Sequence, residues 1–356
     1  MENKKVIEIA SLFLTKKKIK SAKLYGGGHI NDTFLIEIAE SDEKFILQKI
    51  NKNVFKTPQH VIHNIELYLN HLHQKNELQL KTFKTSKEKS YVIDENGDFW
   101  RMYNYVENSV SYFVIEKEEH AFQAAKAFGN MQRLCLDLNT KDFFETIPDF
   151  HDLSKRYVKF DKVLQLSTED RRRKAAKEIL FVQDKRKISD LINELAKRGE
   201  LPLRITHNDT KLNNVLLDAN SGEGICVIDL DTLMPGLVLY DFGDMVRTFT
   251  SPVPEDENDS TKVILRKKIF AALSKGYLSE LSNELTKTEK EQLINGAKYM
   301  ILIIGLRFLT DYLENDVYFK TTYDGHNLVR ARNQFALLKD LLNKEEELKN
   351  IIESYF

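Results

Sequence analysis

Three polar residues near the middle of the chain have the spacing of a phosphoryl-transfer loop. In the run THNDTKLNN, His207 lies two residues before Asp209, and four residues separate Asp209 from Asn214. At this spacing an Asp accepts the proton of an attacking hydroxyl, and the Asn holds a Mg²⁺ ion. A tight loop turns both side chains towards one phosphoryl group. The pattern therefore predicts Asp209 as a catalytic residue and Asn214 as a metal ligand.

A predicted β-hairpin follows this loop. Residues 215–217 form a short apolar strand, residues 218–224 are rich in turn-forming residues, and residues 225–228 form the returning strand. The hairpin is expected to return Asp229 to the loop, where a second metal-binding carboxylate is needed. Asp231 is predicted to assist Asp229 as a metal ligand.

The sequence also contains a literal D-F-G at residues 241–243, the metal-binding motif of protein kinases. We do not predict a metal site at Asp241, because it lies far beyond Asn214 and after the turn-forming residues 234–236. Asp229 lies much closer, at the end of a two-stranded hairpin. The hairpin geometry therefore favours Asp229 as the metal ligand.

The order of these motifs resembles the aminoglycoside phosphotransferase and choline kinase superfamily. Its pattern is H-x-D-x-x-x-x-N followed by an apolar strand ending in I-D-x-[DE], here residues 228–231. The runs HNDTKLNNVLLD and VIDLDTLMPGL are more similar to the N-acetylhexosamine 1-kinases, as are residues 147–152 and 305–313. A lone H-x-D is weak evidence, but the ordered set is specific and the resemblance covers nearly the whole chain.

The resemblance implies a two-lobed, protein kinase-like α+β fold. Residues 1–106 would form a small β-rich nucleotide-binding lobe, and residues 107–356 a larger helical lobe for catalysis and sugar binding. ATP would be the co-substrate and Mg²⁺ the cofactor. The implied reaction phosphorylates the C1 hydroxyl of N-acetylglucosamine or N-acetylgalactosamine.

The resemblance also implies a set of sugar-binding residues. Arg307 matches an arginine that contacts the sugar in the hexosamine kinases, and it follows eight apolar residues, so it should be desolvated and need a partner. Asp311 lies one helical turn further on, where it can bind or orient. The predicted substrate-binding residues are His29, Asp209, Arg307 and Asp311.

The N-terminal region reads as strand, glycine loop, strand, turn and strand. Backbone N–H groups of a glycine loop can approach phosphate closely because no Cβ intervenes. Three glycines alone more often form a plain turn, but Asp209, Asn214 and Asp229 favour a nucleotide site. Adenine is expected to bond to the backbone at the end of the strand that begins near Trp100. The predicted ATP-binding residues are Gly26, Gly27, Gly28, Lys49, Tyr103 and Val106.

Two neighbouring positions on the third strand compete for the phosphate contact. Lys49 lies where kinases keep a phosphate-pairing lysine. Gln48 is the alternative, because successive strand residues point to opposite faces. Glu66, on a predicted helix over residues 58–74, is a candidate partner for the lysine.

Composition limits the remaining classes. The chain has 356 residues, 42% hydrophobic and 30% charged, as an ordinary globular protein has. The formal net charge of −1 argues against nucleic-acid or membrane-surface partners. Cys135 and Cys226 show no disulfide or zinc pattern. No signal peptide is evident, and the apolar run 299–306 is shorter than the roughly 20 residues that span a bilayer, so we expect a buried helix and a cytoplasmic location.

Three alternatives remain open. Another small-molecule kinase, acting on choline, homoserine or an aminoglycoside, would need a site for a cation, which Arg307 disfavours. A protein kinase is disfavoured because no A-P-E follows the D-F-G, and residues 248–254 are too few for an activation loop. A pseudokinase acting as a binding module is disfavoured because Asp209, Asn214 and Asp229 are all competent residues.

Overall fold

The computed structural model describes residues 2–26 and 30–356. The predicted nucleotide- and sugar-binding residues Gly27, Gly28 and His29 lie outside the described residues. The helices are α1 (Glu2–Phe13), α2 (Pro58–Gln74), α3 (Glu118–Leu134), α4 (Leu153–Leu166), α5 (Glu169–Lys174), α6 (Ala176–Asp184), α7 (Lys187–Lys197), α8 (Val238–Phe249), α9 (Lys267–Leu281), α10 (Lys287–Leu313), α11 (His326–Asn343) and α12 (Glu345–Glu353). The strands are β1 (Ile19–Leu24), β2 (Asp32–Ile38), β3 (Lys44–Ile50), β4 (Tyr91–Ile93), β5 (Phe99–Asn104), β6 (Ser109–Val110), β7 (Arg204–Thr206), β8 (Val215–Asp218), β9 (Gly224–Val227) and β10 (Met234–Gly236).

The chain divides into two compact units. The small unit consists of Met1–Ser109, Asn139–Pro148 and Ile228–Met234. The large unit consists of Val110–Leu138, Asp149–Val227 and Pro235–Phe356. A small antiparallel sheet in one unit and helices in the other confirm the predicted α+β, kinase-like class. The small unit also takes in two segments from beyond residue 106.

The small unit is built on a five-stranded antiparallel sheet in the order β1-β2-β3-β5-β4. One face of the sheet packs on α1 and includes Leu47 and Met102, which are paired across β3 and β5. Gln48 and Arg101 form the next pair along the same two strands. Because side chains alternate between faces, this second pair points away from the α1 core.

A buried asparagine joins the three segments of the small unit. Asn64 of α2 is fully buried, and its Nδ2 donates to the carbonyl oxygens of Phe144 at 2.7 Å and Leu233 at 2.8 Å. Its Oδ1 accepts from the Phe144 N–H at 2.9 Å. One side chain therefore satisfies backbone groups from both later segments, which would each cost about 1–3 kcal/mol if buried unpaired.

The large unit is organised around α10. A capping box starts this helix: Thr286 Oγ1 accepts from the Glu289 N–H at 3.1 Å, and Glu289 Oε2 accepts from the Thr286 N–H at 2.8 Å. By length and composition α10 could cross a membrane, with a mean hydropathy of 1.4 in its most apolar window. However, 83% of that window is buried inside the protein, as in a core helix. The predicted burial of residues 299–306 is confirmed.

Helices α8 and α10 touch through two glycines. A Cβ on Gly243 would lie against the carbonyl oxygen of Gly296, well inside van der Waals contact. A Cβ on Gly296 would lie 2.6 Å from the carbonyl oxygen of Leu239. The glycine of the D-F-G is thus required for helix packing.

We predict that Gly243→Ala lowers the free energy of unfolding by about 1–3 kcal/mol, the usual cost of overpacking a core. At an uncrowded helical position the same change would stabilise by roughly 1 kcal/mol, because Ala has the higher helix propensity. Urea unfolding followed by circular dichroism distinguishes the two signs. A variant as stable as the wild type, or more stable, would contradict the close approach of the two helices.

Candidate active site

The H-x-D loop, residues 207–214, follows β7 and brings two predicted site residues together. Asn214 Nδ2 donates to the backbone oxygen of Asp209 at 2.8 Å and to its Oδ2 at 3.1 Å. Lys211 Nζ lies 2.8 Å from Asp209 Oδ1. Sequence analysis missed Lys211, although its position two residues after the catalytic Asp was a usable signal. The loop therefore places one cation and one amide on the carboxylate of Asp209.

These neighbours keep Asp209 ionised. Burial raises the pKa of the Asp209 carboxyl, but the charge and hydrogen bond of Lys211 oppose this effect, and the net result lies below the usual pKa range. Burial also lowers the pKa of Lys211, but Asp209 raises it above its ordinary value. At neutral pH the loop therefore contains a carboxylate and an ammonium in contact.

Asp241 fixes the backbone of the H-x-D loop. Its Oδ2 accepts from the His207 N–H at 2.9 Å, and its Oδ1 accepts from the Asn208 N–H at 2.7 Å. Gln132 Nε2 donates to Oδ2 at 2.5 Å, and the Thr210 hydroxyl donates to the Asp241 carbonyl oxygen at 2.7 Å. Burial raises the pKa of Asp241 to about 6. The first residue of the D-F-G thus holds the loop through its carboxylate.

His151 supports the same loop from the other side of Asn208. The backbone of Asn208 has a φ of 65°, an uncommon conformation for a residue with a side chain. His151 Nε2 lies 2.9 Å from the Asn208 carbonyl oxygen, and burial lowers the pKa of His151 to about 3. The ring is therefore neutral and donates Nε2–H to that carbonyl. Tyr299 of α10 in turn donates its hydroxyl to the His151 carbonyl oxygen at 2.7 Å.

Arg307 of α10 faces a cavity of about 110 Å³ in the large unit. Its guanidinium lies 5.4 Å from the Phe150 ring centre, 5.7 Å from that of Tyr318 and 5.4 Å from that of Phe319. Burial and the nearby Arg156 lower the pKa of Arg307. The cavity is lined by Arg156, Lys159, Arg307, Thr310, Asp311, Tyr318 and Phe319.

Asp311 lines this cavity, but its carboxylate is hydrogen-bonded to the loop that follows α10. Its carboxylate accepts from the backbone N–H groups of Tyr318 at 2.8 Å and Phe319 at 2.9 Å. Asn327 Nδ2 donates to it at 2.9 Å. Asp311 therefore holds two aromatic residues over Arg307, and a direct contact with substrate stays a prediction.

Two buried side chains, His151 and Arg247, interact electrostatically with both Asp209 and Arg307. Beyond the main effect of burial, Arg307 lowers the pKa of His151 and Asp209 raises it. After burial and closer neighbours, Arg247 also lowers the pKa of both Asp209 and Arg307. The predicted catalytic carboxylate and the predicted sugar-binding arginine therefore share a neighbourhood within the large unit.

The predicted metal-binding acids lie in the acid turn, residues 228–234 of the small unit. Asp229 is exposed and has a left-handed backbone, with a φ of 58°. Asp231 is buried, forms an ion pair with Arg101 Nη2, and accepts from Asn31 Nδ2 at 2.7 Å. An exposed carboxylate suits a hard cation such as Mg²⁺, whereas Asp231 is buried and paired with Arg101. Asp229 fits a metal better than Asp231 does.

The second predicted ligand, Asn214, lies in the large unit. Its amide nitrogen donates to Asp209, so its side-chain oxygen is the group that can coordinate a cation. Amide oxygens are ligands that hard cations accept. Asn214 therefore also fits the predicted role.

The two candidate phosphate-binding residues, Lys49 and Gln48, lie on opposite faces of strand β3. Lys49 Nζ lies 2.8 Å from Asp32 Oδ2 and 5.8 Å from the Trp100 ring centre, on the face of the α1 core. Gln48 Oε1 accepts from Arg101 Nη2 at 2.9 Å and Nε at 3.2 Å on the opposite face. Sequence analysis missed Arg101, although a charged residue inside the apolar strand FWRMYN was a signal. The candidate partner Glu66 accepts from the Ser90 hydroxyl at 2.5 Å.

The backbone predicted to bind adenine is already partly engaged. The Val106 carbonyl oxygen accepts from the Ser109 hydroxyl at 2.7 Å, and the Tyr105 N–H donates to the Lys44 carbonyl oxygen at 3.2 Å. Tyr103 is buried within β5. Gly26 has a φ of 78° with open space around its Cα, which is the left-handed conformation that favours glycine. Their roles in nucleotide binding stay predictions.

We predict that Asp241→Asn lowers the free energy of unfolding by roughly 1.5–3 kcal/mol, the value of a charged hydrogen bond. The new amide group would point donor hydrogens at the N–H of His207 or Asn208. Asp218→Asn is the matched control, because Asp218 also accepts two backbone N–H groups, from Asn220 and Ser221, but in an exposed turn. Equal unfolding midpoints for the two variants in urea would contradict the role of Asp241.

Comparison with known proteins places this geometry in a family. Residues 21–263 match the phosphotransferase enzyme family, APH. A microcompartment-associated aminopropanol kinase aligns with a TM-score of 0.60 and 15% identity, over 95% of this chain and 98% of its own. The Plasmodium vivax ethanolamine kinase gives 0.56 and 12%, over 89% and 82%. A spectinomycin phosphotransferase, solved with ADP and spectinomycin, gives 0.56 and 12%, over 100% and 98%.

At these identities the solved structures show the shared kinase-like fold. The family match itself extends over well more than half of the chain and includes the H-x-D loop, the acid turn and the D-F-G. This chain therefore belongs to the phosphotransferase enzyme family.

Proposed function

We propose that the protein is an ATP-dependent kinase that phosphorylates the C1 hydroxyl of N-acetylhexosamines. Membership of the phosphotransferase family supports the reaction class. The observation that carries the substrate is the neighbourhood shared by Asp209 and Arg307: Arg307 lies over the ring of Phe150, and the adjacent His151 donates to the backbone oxygen of Asn208, the residue before Asp209. An acceptor held by Arg307 would have a carboxylate at hand for its reacting hydroxyl.

ATP is the proposed donor, with Mg²⁺ as cofactor. A similar fold was solved with ADP, which supports a nucleotide donor. Asn214 and Asp229 would hold Mg²⁺, which when bound neutralises charge on the phosphate oxygens. We also propose a cytoplasmic location.

Asp209 would orient the acceptor hydroxyl and accept its proton. Its low pKa makes it a weak base, but an anomeric hydroxyl is more acidic than an ordinary alcohol and needs less assistance. In phosphoryl transfer most of the catalysis comes from positioning and charge stabilisation. Lys211, in contact with Asp209, would balance charge that develops on the transferred phosphoryl group.

The lining of the Arg307 cavity supports the proposed sugar site. Its guanidinium offers several donors in a fixed plane, which suits hydroxyl and amide oxygens. The rings of Phe150, Tyr318 and Phe319 around it offer apolar surface for a pyranose face. Arg156 adds positive charge to the lining beside Arg307, which opposes a cationic acceptor such as choline or ethanolamine, whereas Lys159 is paired with Glu314.

The deciding experiment is phosphorus NMR of the product formed from ATP, Mg²⁺ and N-acetylglucosamine or N-acetylgalactosamine. We expect a phosphate on C1, identified by its coupling to the anomeric proton. In the Asp209→Asn control, turnover should fall by roughly 10²–10⁴-fold, the usual contribution of a general base. Phosphate at C6, or brisk turnover of choline, ethanolamine or an aminoglycoside without any turnover of the sugars, would refute the proposed substrate.

We predict that Arg307→Met raises KM for the sugar by about 10- to 150-fold, the equivalent of one charged hydrogen bond of roughly 1.5–3 kcal/mol. KM for ATP should stay close to the wild-type value. Arg330→Met is the matched control, because Arg330 also lies over an aromatic ring, that of Phe308, at 5.5 Å, but does not line the cavity. Steady-state kinetics with each substrate varied in turn checks the prediction. An equal rise in both KM values would argue against sugar binding by Arg307.

A further inference from the structure

Arg101 is a buried cation that no step of the proposed reaction uses. Its side chain is 3% exposed and projects from β5 on the face of the sheet opposite the α1 core. Gln48 Oε1 accepts two of its N–H groups, and Asp231 forms an ion pair with its Nη2. Its Nη1 is buried without a hydrogen-bond partner among the described residues. A buried donor left unpaired is costly and calls for an explanation.

The contacts of Arg101 lead to the acid turn. Asp231 is 3% exposed, and its two oxygens are divided between Arg101 and Asn31. Asn31 is itself fixed, because its Oδ1 accepts from the Asn51 N–H at 3.0 Å. Among the described residues, Oδ2 of Asp231 is therefore held by a hydrogen bond from Asn31 beside β2, and Oδ1 by its ion pair with Arg101 of β5, without a hydrogen bond.

Asp229 lies two residues before this anchor. Its left-handed backbone is an unfavourable state for a residue with a side chain, and it persists only where the surroundings enforce it. The anchored Asp231 supplies that constraint two residues after Asp229, and the Asn64 bond to the Leu233 carbonyl oxygen reinforces it two residues further on. The charge of Asp229 also acts on Arg101, where it raises the pKa after burial and Asp231 have exerted their larger effects.

We propose that Arg101 is a positioning residue that fixes the acid turn through Asp231 and thereby sets the metal affinity of Asp229. This inference rests on the proposed use of a metal-bound nucleotide, and it is independent of the acceptor.

Stability alone does not account for the buried pair. Replacing a buried ion pair by well-packed apolar side chains is often neutral or stabilising. In contrast, removing a residue that orients a metal ligand commonly weakens metal binding by 10- to 100-fold. The arrangement of Gln48, Arg101 and Asp231 is of this second kind, because each residue fixes the next one and the last lies two residues after Asp229.

The test is Mn²⁺ binding to the enzyme–ADP complex, measured by electron paramagnetic resonance without any acceptor. Arg101→Met should weaken Mn²⁺ binding by about 10- to 100-fold, and Arg101→Lys by less, because it keeps the charge. Asn31→Ala removes one bond to Asp231 without removing a charge, and should weaken binding in the same direction. If Arg101→Met does not fold, the Mn²⁺ affinity of Asn31→Ala tests the inference in its place.

Asp94→Asn is the matched structural control. Asp94 is 2% exposed, pairs with Lys5 at 2.9 Å and accepts from Trp100 Nε1 at 3.0 Å, all within the small unit. This variant should lower stability and leave Mn²⁺ affinity unchanged. Wild-type affinity in the Arg101 and Asn31 variants, or equal weakening in Asp94→Asn, would overturn the inference. A wild-type enzyme that binds no Mn²⁺ with ADP would instead refute the metal site of the proposed function.

Discussion

The large unit depends on one buried carboxylate that holds backbone in place. Asp241 accepts the N–H groups of His207 and Asn208, so the approach to Asp209 is fixed before any substrate arrives. Preorganised groups of this kind need no rearrangement at the moment of reaction. The rest of the D-F-G serves the same end: Phe242 packs between the rings of Phe270 and Tyr277, and the following glycine lets α8 lie against α10.

Each unit neutralises its own acids. In the large unit, Lys211 contacts Asp209, and Arg247 pairs with Asp244 at 2.8 Å. In the small unit, Arg101 pairs with Asp231. Buried carboxylates are costly unless they are paired and hydrogen-bonded, so the predicted site residues Asp209 and Asp231 each come with a cation that sequence analysis did not assign to them.

The sequence predicted what depends on short spacing. The H-x-D loop and the hairpin over β8 and β9 follow from local patterns, and the division into a β-rich and a helical part was implied by the family resemblance. Arg101 and its bond to Asp231 could not be predicted, because they join positions far apart in the chain. The choice between Gln48 and Lys49 depended on which face of β3 meets the α1 core, and a shift of one residue reverses it.

The D-F-G has a structural role in this protein. The role of a D-F-G motif depends on its backbone conformation. In this protein residues 241–243 lie within helix α8. From the first turns of this helix, the Asp241 side chain reaches the H-x-D loop and accepts the backbone N–H groups of His207 and Asn208. No local sequence pattern indicates that the two later segments belong to the small unit, because the hydrogen bonds of Asn64 join them to it across long stretches of the chain.

That asparagine also determines when the small unit can be completed during synthesis. Asn64 and Leu233 are 169 residues apart in the chain, and the bond between them cannot form until the ribosome has released the acid turn. At roughly 5–20 residues per second, the nascent sheet must wait on the order of ten seconds or more with α2 unsatisfied. During that interval the amide of Asn64 stays hydrated, and the N-terminal segment is an unfinished domain that depends on chaperones or on its own sheet for protection from aggregation.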